Sequence, residues 1–533
     1  MAKITCKPVT KNERLRVPRG VGDDSAAATA AYLAADYDRA LALVRAPAYR
    51  GNEEERSLLE ARIVSRTGDP LAAVSAAVAA RRAARSADAR ALAAALEAMG
   101  LGRAGKRPSA VRRFQEARRH AARGGPNTRA EVGYFEAFDA WSVHDMTRSE
   151  QLLDAALPDA DGLVASSLIA LKGWIEVRRE RYDAAARHFE QALADAQRSA
   201  DPKERDVRLE ARLVHVLLVT AGETIDLPLA RRVEQRTDEI AWSNGVARER
   251  FNTTTCRRFI ALLRGDTADA YRFGEIAIAQ APDDAFRAVA HTNQYALLQA
   301  KGDKFAAGVH LEQARRIIER FHWRTADVEQ RVALTNYAIE AAGADPSGAS
   351  RALTMYRSIS ERKDSGLALQ GDRRVDAFTD MAEGRVAEAR GDIDRAVVAY
   401  ERSVRRWTAL DYRMRAAIVA LDLFRLTKDM SYLDEVNGAQ KRAPQAWFRI
   451  PPPPGSHPGV PQLTPALRRV LSELLRGKSS KQIAATVGRA DYTVRNQTKR
   501  IYSTFGVRTR AELLARCARD GTFQDLTAQD LTA

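Results

Sequence analysis

The stretch GWIEVRRERYDAAARHFEQA, residues 173–192, carries the pattern on which the fold of most of this chain depends. Its spaced positions are a small residue at Gly173, a turn residue at Glu180, Ala185, a large apolar residue at Phe189 and a small residue at Ala192. Side chains three and four positions apart share one face of a helix. The stretch therefore predicts two helices joined by a tight turn, with small residues where the helices approach each other.

The same pattern recurs along the chain at intervals of roughly 36–40 residues. Full copies begin at Ala98, Gly173, Tyr295 and Gly384, and weaker copies begin at Ala61, Ala137 and Arg258. The wide intervals 173–258 and 295–384 each leave room for one degenerate copy. A single helical hairpin cannot bury its apolar face alone, so such units stack. We therefore predict an all-α, helical-hairpin solenoid over residues 25–445, with an irregular helical bundle as the alternative.

These copies resemble the tetratricopeptide repeat family, although their intervals are longer than is usual in that family. Stacked helical repeats present a concave surface. We expect this surface to bind a protein, peptide or small-molecule signal.

The composition is that of a globular protein without a membrane segment. Hydrophobic residues make up 45% of the 533 residues, and the apolar runs are too short to span a bilayer. The N-terminal residues lack the apolar segment of a signal peptide. The three cysteines, Cys6, Cys256 and Cys517, are far apart, which argues against disulfides or a zinc site. We expect a cytoplasmic protein.

Composition shifts divide the chain into further segments. Residues 1–24 are polar and basic and are interpreted as a flexible arm. Residues 446–462 form a proline-rich linker, with six prolines between Arg449 and Pro461. Residues 463–520 hold thirteen Lys or Arg and four acidic residues. The excess of positive charge in this segment is more than half of the chain's net charge of +16. Such a dense positive charge favours a polyanionic partner. Residues 521–533 form a short tail.

Four short helices are predicted in the basic segment. Helix caps and turns are expected at Thr464, Gly477, Ser479 with Gln482, Gly488, and Thr509 with Glu512. The third helix is expected from Asp491 to Phe505, with Val494 and Ile501 facing inward.

The outer face of this third helix carries Arg495, Asn496 and Lys499. Arginine can form two hydrogen bonds to guanine, and asparagine can form two to adenine. A helix of this kind can enter the major groove of DNA. The alternative is one more helical repeat with a basic surface.

Residues 463–517 resemble the LuxR-type helix-turn-helix domain of bacterial transcriptional regulators, without gaps. The positions that carry the resemblance are Leu463-Thr-Pro465, Val470-Leu471, Gly477, Ile483-Ala484, Thr493-Val494, Ile501, Gly506-Val507 and Arg510-Ala-Glu-Leu513. The chain departs from the family at Leu467, Arg489-Ala490 and Gln497.

The resemblance implies a four-helix domain that binds double-stranded DNA and pairs through its last helix as a homodimer. It assigns base contacts to Arg495, Asn496 and Lys499. It assigns phosphate contacts to Thr464, Lys481, Thr493, Gln497 and Arg500.

One motif resembles a nucleotide-binding loop but lacks its setting. Gly100–Lys106 matches the first part of a P-loop, but an Ala-rich helical segment precedes it and Arg107 follows where Ser or Thr is needed. The eight histidines are dispersed, and Cys256 lies in a helical segment where a small apolar role is expected. We therefore expect no catalytic residues, metal or cofactor, and no enzyme activity.

Two functions follow from these observations. The first is a DNA-binding transcriptional regulator whose repeats receive a signal. The alternative is a tetratricopeptide-like interaction scaffold that has only non-specific affinity for nucleic acid.

Overall fold

A computed structural model describes residues 24–47, 49–67, 69–198, 205–240, 242–322, 328–360, 373–446, 465–504 and 507–519. Across these ranges the chain forms helices and turns, and no β-strand is present. The chain divides into two compact units, Met1–Trp447 and Phe448–Ala533. We call the described part of the first unit the helical array, and that of the second the C-terminal unit.

The helices of the array follow one another in pairs. They are α1 (Asp24–Leu33), α2 (Tyr37–Val44), α3 (Glu53–Thr67), α4 (Pro70–Ala83), α5 (Ala87–Arg103), α6 (Arg107–Ala121), α7 (Pro126–Ser142), α8 (Met146–Ala156), α9 (Gly162–Arg178), α10 (Tyr182–Ala196), α11 (Val207–Thr224), α12 (Leu227–Thr237), α13 (Ala247–Leu263), α14 (Thr267–Gln280), α15 (Asp284–Ala300), α16 (Lys304–Ile318), α17 (Val328–Glu340), α18 (Pro346–Ser360), α19 (Arg373–Ala389), α20 (Ile393–Ala409), α21 (Arg413–Thr427) and α22 (Leu433–Arg442). Short 3-10 helices lie at Leu157–Asp159, Asn244–Val246 and Met430–Tyr432.

Each full copy of the sequence pattern is a helical hairpin in the structure. The predicted turn residues Gly105, Glu180, Gly302 and Gly391 all have a positive φ, between 63° and 80°. In the hairpin of α19 and α20, the residue after the turn, Asp392, caps the second helix by accepting from the backbone N–H of Arg395. The all-α, helical-hairpin repeat fold is therefore confirmed.

The small residues of the pattern allow close contact between paired helices. A Cβ atom on Gly173 of α9 would lie 2.6 Å from Cε1 of Phe189 on α10, closer than real atoms approach. Gly384 of α19 and Tyr400 of α20 repeat this contact. The large apolar residue thus fills the space left by the glycine of its own hairpin, and both aromatic side chains are fully buried.

The degenerate copies expected in the two wide intervals are also present. The hairpin of α11 and α12 occupies the first interval, and the hairpin of α17 and α18 occupies the second. Further hairpins, α1 with α2 and α21 with α22, stand at the two ends of the array.

The first helices of several successive hairpins contact one another and form an inner layer. Helix α5 contacts α7, α7 contacts α9, and α15 contacts α17, which contacts α19. Other contacts join helices that are distant in the sequence. Helix α11 contacts α21, and Arg66 of α3 pairs with Asp206 at the start of α11. Helix α11 therefore contacts parts of the array that are far apart in the sequence.

The segment that resembles a P-loop is helical. Gly100 and Gly102 are buried within α5, and a Cβ atom on Gly100 would lie 2.9 Å from the Val74 side chain of α4. These glycines thus serve helix packing. Within the described ranges, no helix is long and apolar enough to cross a bilayer.

The C-terminal unit consists of α23 (Pro465–Leu475), α24 (Ser480–Val487), α25 (Asp491–Thr504) and α26 (Arg510–Arg519). Their apolar side chains form one core, made of Leu467, Val470, Leu471, Leu474, Leu475, Ile483, Ala484, Val494, Ile501 and Leu513. The predicted inward residues are among them. The predicted arm other than Asp24, the tail 521–533, Thr464, Phe505 and residues 447–462 of the linker lie outside the described residues.

Candidate functional site

Caps and turns fix α24 and α25 of the C-terminal unit in the predicted places. Ser479 and Gln482 form the expected capping box, in which Ser479 accepts from the Gln482 N–H and the Gln482 side chain accepts from the Ser479 N–H at 2.8 Å. Gly488 ends α24 with a φ of 65°. The chain can therefore turn directly from α24 into α25.

Partly buried hydrogen bonds hold α26 against α23. Arg510, the first residue of α26, donates to the carbonyl oxygen of Lys478 at 3.2 Å and to that of Leu474. Leu474 lies in the last turn of α23 and Lys478 follows that helix, so Arg510 stands at the C-terminal end of α23, where an arginine is favoured by the helix dipole. Thr509 caps α26 by accepting from the N–H of Glu512 at 3.2 Å, as predicted.

The orientation of α25 is set by two residues in the core. Val494 and Ile501 are fully buried, which directs the opposite face of α25 away from the core. Arg495, Asn496 and Lys499 lie on that opposite face, and all three are exposed. The structure thus brings the predicted base-contacting residues together on one accessible helix surface.

Arg495 has a partner in this surface. Its Nη2 atom lies 2.8 Å from Oδ2 of Asp491, one turn earlier in α25, while its side chain remains 61% exposed. An exposed pair of this type contributes little to stability and exchanges readily for another anion.

The residues assigned to phosphate contacts are distributed around this face. Lys481 at the start of α24 and Thr493 and Arg500 on α25 are exposed. Gln497 is half-buried, and its Oε1 atom is buried without a hydrogen bond. Thr464 lies outside the described residues.

Tyr492 is a further exposed residue on the outer face of α25 that was not predicted from the sequence. Tyr492 is 75% exposed and lies three, four and seven positions before Arg495, Asn496 and Lys499. Tyr492 therefore lies on the same face of α25 as the three predicted base-contacting residues. The helical spacing alone was a signal that could have identified it.

The helical array contains a separate cavity of about 480 Å³. It lies between α11, α13, α15, α17, α18, α19 and α21, so most of its wall comes from first helices of hairpins. Its apolar side chains include Phe251, Phe259, Phe286, Phe378 and Met414. A volume of this size matches the roughly 300–1,000 Å³ that is typical of small-molecule pockets.

The charged groups of this cavity are held against its aromatic wall. Arg415 pairs with Glu223 at 3.0 Å between Nε and Oε1, and its guanidinium lies 5.1 Å from the ring centre of Phe378. Burial raises the pKa of Glu223, although Arg415 opposes this effect. Arg248, Arg331 and Arg374 also line the cavity.

Cys256 lies in the same wall and is suited to packing. Burial raises the pKa of its thiol to about 12, so the thiol is protonated at neutral pH and is a poor nucleophile. In the parts of the chain that the structure describes, no three His, Cys, Asp or Glu side chains are placed to hold a metal ion.

Comparisons with known proteins identify no family for this chain. No protein-family model and no curated protein sequence matches it. Among solved structures, a Rap protein complexed with competence and sporulation factor is 14% identical, with a TM-score of 0.38, and covers 65% of this chain and 99% of its own. The structure of Naa15/Naa10 bound to HypK-THB includes a chain that is 11% identical, with a TM-score of 0.19, and covers 95% of this chain and 97% of its own. The description of the fold therefore rests on the contacts between the helices themselves.

Proposed function

We propose that the chain is a transcriptional regulator that binds double-stranded DNA through residues 463–520. Helix α25 enters the major groove, where Arg495, Asn496 and Lys499 contact base edges. Thr464, Lys481, Thr493, Gln497 and Arg500 contact phosphates. Helix α26 pairs two copies on the DNA, and the helical array receives the signal that controls binding.

The observation that carries this proposal is the exposed face of α25. Two fully buried residues, Val494 and Ile501, turn the polar side of this helix outward, and the helix before it is capped and closely joined to it. Cationic and amide side chains on such a helix match the donor and acceptor pattern of the major groove. The resemblance to LuxR-type domains supports the same assignment.

The test compares specific with random DNA. Selection of bound sequences from genomic fragments by the full chain should yield a preferred site. On that site Arg495→Ala should weaken binding by about 1–3 kcal/mol, while binding to random DNA should change much less. Lys499→Ala should act in the same direction. The matched control is Arg316→Ala, which removes a 67% exposed arginine of the array and should leave both affinities unchanged.

Equal losses on selected and random DNA would instead support the interaction scaffold with only non-specific nucleic-acid affinity. The dependence of affinity on salt concentration also distinguishes phosphate-contacting from base-contacting residues. Lys481→Ala and Arg500→Ala should each reduce the slope of log affinity against log salt by about one, without altering the preferred sequence.

The cavity of about 480 Å³ is the proposed place of signal reception in the array. A largely apolar wall with a few polar groups is the usual composition of a ligand site. If a signal acts there, a bulky substitution of the lining residue Val289, such as Val289→Trp, should change the effect of cell extract on the affinity for DNA. The preferred DNA sequence should stay the same.

A further inference from the structure

The helical array encloses a second cavity, of about 320 Å³, between α1, α3, α5, α7, α9 and the start of α11. Five arginines line it, namely Arg62, Arg66, Arg103, Arg208 and Arg212. The carboxylates in its lining are Glu131 and Asp206. The wall therefore carries more positive than negative charge.

Both carboxylates are engaged by arginines of α3. Arg62 contacts both oxygens of Glu131, at 2.6 and 2.7 Å. Arg66 donates to both oxygens of Asp206, at 2.7 and 3.3 Å. Asp206 also caps α11 by accepting from the N–H of Leu209. The negative charges of Glu131 and Asp206 thus balance the positive charges of Arg62 and Arg66, and each carboxylate oxygen already accepts a hydrogen bond.

Two further arginines of the lining, Arg208 and Arg212, lie on one face of α11 and have no ion pair with a described carboxylate. Arg208 donates to the carbonyl oxygen of Arg66 at 3.1 Å, and that neutral oxygen does not offset its charge. Arg212, one turn further along, makes no hydrogen bond or ion pair with any described residue. Arg212 lines this cavity and is exposed to solvent.

The surroundings of Arg212 disfavour its positive charge. The enclosing protein lowers the pKa of Arg212, and the nearby charges of Arg208 and Arg66 lower it further. Tyr134 and Glu249 act in the opposite direction, but Glu249 on α13 does not line the cavity. An anion between these guanidinium groups would relieve their repulsion.

Much of the rest of the wall is aromatic or apolar. Tyr134 of α7 lies with its ring centre 5.6 Å from that of Phe135 and 6.3 Å from that of Phe138. Leu96 and Met99 of α5 extend this surface. A ligand held here would therefore meet both guanidinium groups and aromatic rings.

We propose that this cavity binds a small molecule in which an oxyanion, either a phosphate or a carboxylate, is attached to an aromatic or apolar body. The planar guanidinium of Arg212 can donate two parallel hydrogen bonds to the oxyanion, and Arg208 supplies a second positive charge. The aromatic wall covers the body of the ligand. This proposal concerns the helical array alone and does not depend on DNA binding by the C-terminal unit.

The experiment uses the full chain and four probes: phenyl phosphate, phenylacetate, inorganic phosphate and benzyl alcohol. Thermal unfolding and isothermal titration calorimetry are run at constant ionic strength, with potassium chloride as the balancing salt. Phenyl phosphate or phenylacetate should bind and raise the Tm, and whichever binds more tightly identifies the oxyanion. Inorganic phosphate should bind more weakly, and benzyl alcohol should not bind.

Two variants test the role of the charge. Arg212→Gln should raise the Tm without a probe, because it removes the repulsion, and should weaken probe binding by about 10- to 100-fold, as expected for a charge-assisted hydrogen bond. Ser167→Asp places a carboxylate in the wall and should likewise block binding. The control Arg232→Gln removes a 58% exposed arginine that pairs with Glu190 and should bind the probes like the unchanged chain.

The proposal is wrong if neither aromatic anion binds above the chloride control. It is also wrong if Arg212→Gln and Arg232→Gln bind the probe equally well. Circular dichroism of each variant shows whether the helices are intact, and Ser167→Asp gives an independent answer if Arg212→Gln loses structure.

Discussion

Basic residues lie both in the helical array and on the outer face of α25, but their surroundings differ. In the array, Glu97 accepts from Arg81 at 2.9 Å and from Arg113 at 2.8 Å, and its side chain is 6% exposed. On α25, Lys499 and Arg500 are exposed and form no ion pair with any described residue. Only Arg495 on that helix has a carboxylate partner, Asp491.

This difference shows why the number of basic residues alone does not identify a polyanion-binding surface. A basic residue whose carboxylate partner is buried beside it mainly stabilises the fold. A basic residue without such a partner keeps its charge available for a ligand. By this criterion the face of α25 and the wall beside Arg212 can each attract an anion.

The largest effect is expected where a buried carboxylate is removed from the array. Glu210 is 2% exposed and pairs with Arg205, whose side chain is 14% exposed. Glu210→Ala leaves this arginine enclosed without its partner and should lower the free energy of unfolding by about 3 kcal/mol. Urea unfolding followed by circular dichroism measures the loss.

Asp491→Ala is the matched change on α25. It removes the partner of a 61% exposed arginine at the start of a helix, so the loss should be at most about 1 kcal/mol. Equal losses for Glu210→Ala and Asp491→Ala would contradict the distinction between structural and available charges.

The repeating part of the fold could be predicted from the sequence because its determinants are local. A glycine such as Gly391 has a positive φ, and a glycine such as Gly384 admits an aromatic side chain from the paired helix. Both requirements act within about 20 residues and recur with the hairpin. The core of the C-terminal unit could be predicted for the same reason, since its caps and its apolar spacing are local.

The two cavities could not be predicted because they depend on contacts between distant residues. Arg66 meets Asp206 across 140 positions, and Glu223 meets Arg415 across 192. Such contacts depend on small rotations that accumulate from hairpin to hairpin, and these rotations leave no periodic signal in the sequence. The excess of arginines around Arg212 was therefore visible only once the helices were placed.

A smaller effect should appear when the pH is lowered. Burial, together with the neighbouring positive charges of Arg212 and Arg248, lowers the pKa of His215 on α11 from 6.5 to about 4. In the unfolded chain this histidine is protonated below about pH 6.5, whereas in the folded chain it stays neutral until about pH 4. This contribution to stability is complete above pH 6.5 and is lost as the pH falls toward 4.

Replacement of this histidine isolates the contribution. His215→Gln should reduce the loss of stability between pH 7 and pH 5 by about 1–2 kcal/mol, measured by urea unfolding at both values. The control His120→Gln removes an imidazole that lies 4.0 Å from the carboxylate of Glu116, and should give no such reduction. Residues 463–520 contain no histidine, so this effect belongs to the array.

The smallest effect concerns Tyr492, the exposed ring on the outer face of α25. Tyr492→Ala removes a side chain that is 75% exposed, so the free energy of unfolding should change by less than about 0.5 kcal/mol. Binding to the selected DNA should weaken by about fivefold, because the ring lies among the proposed base contacts and loses a contact of about 1 kcal/mol. The control Tyr271→Ala changes an exposed tyrosine of the array and should leave DNA binding as it was. If Tyr492→Ala binds the selected site as tightly as the unchanged chain while Arg495→Ala does not, the DNA contact is confined to the part of α25 that follows Tyr492.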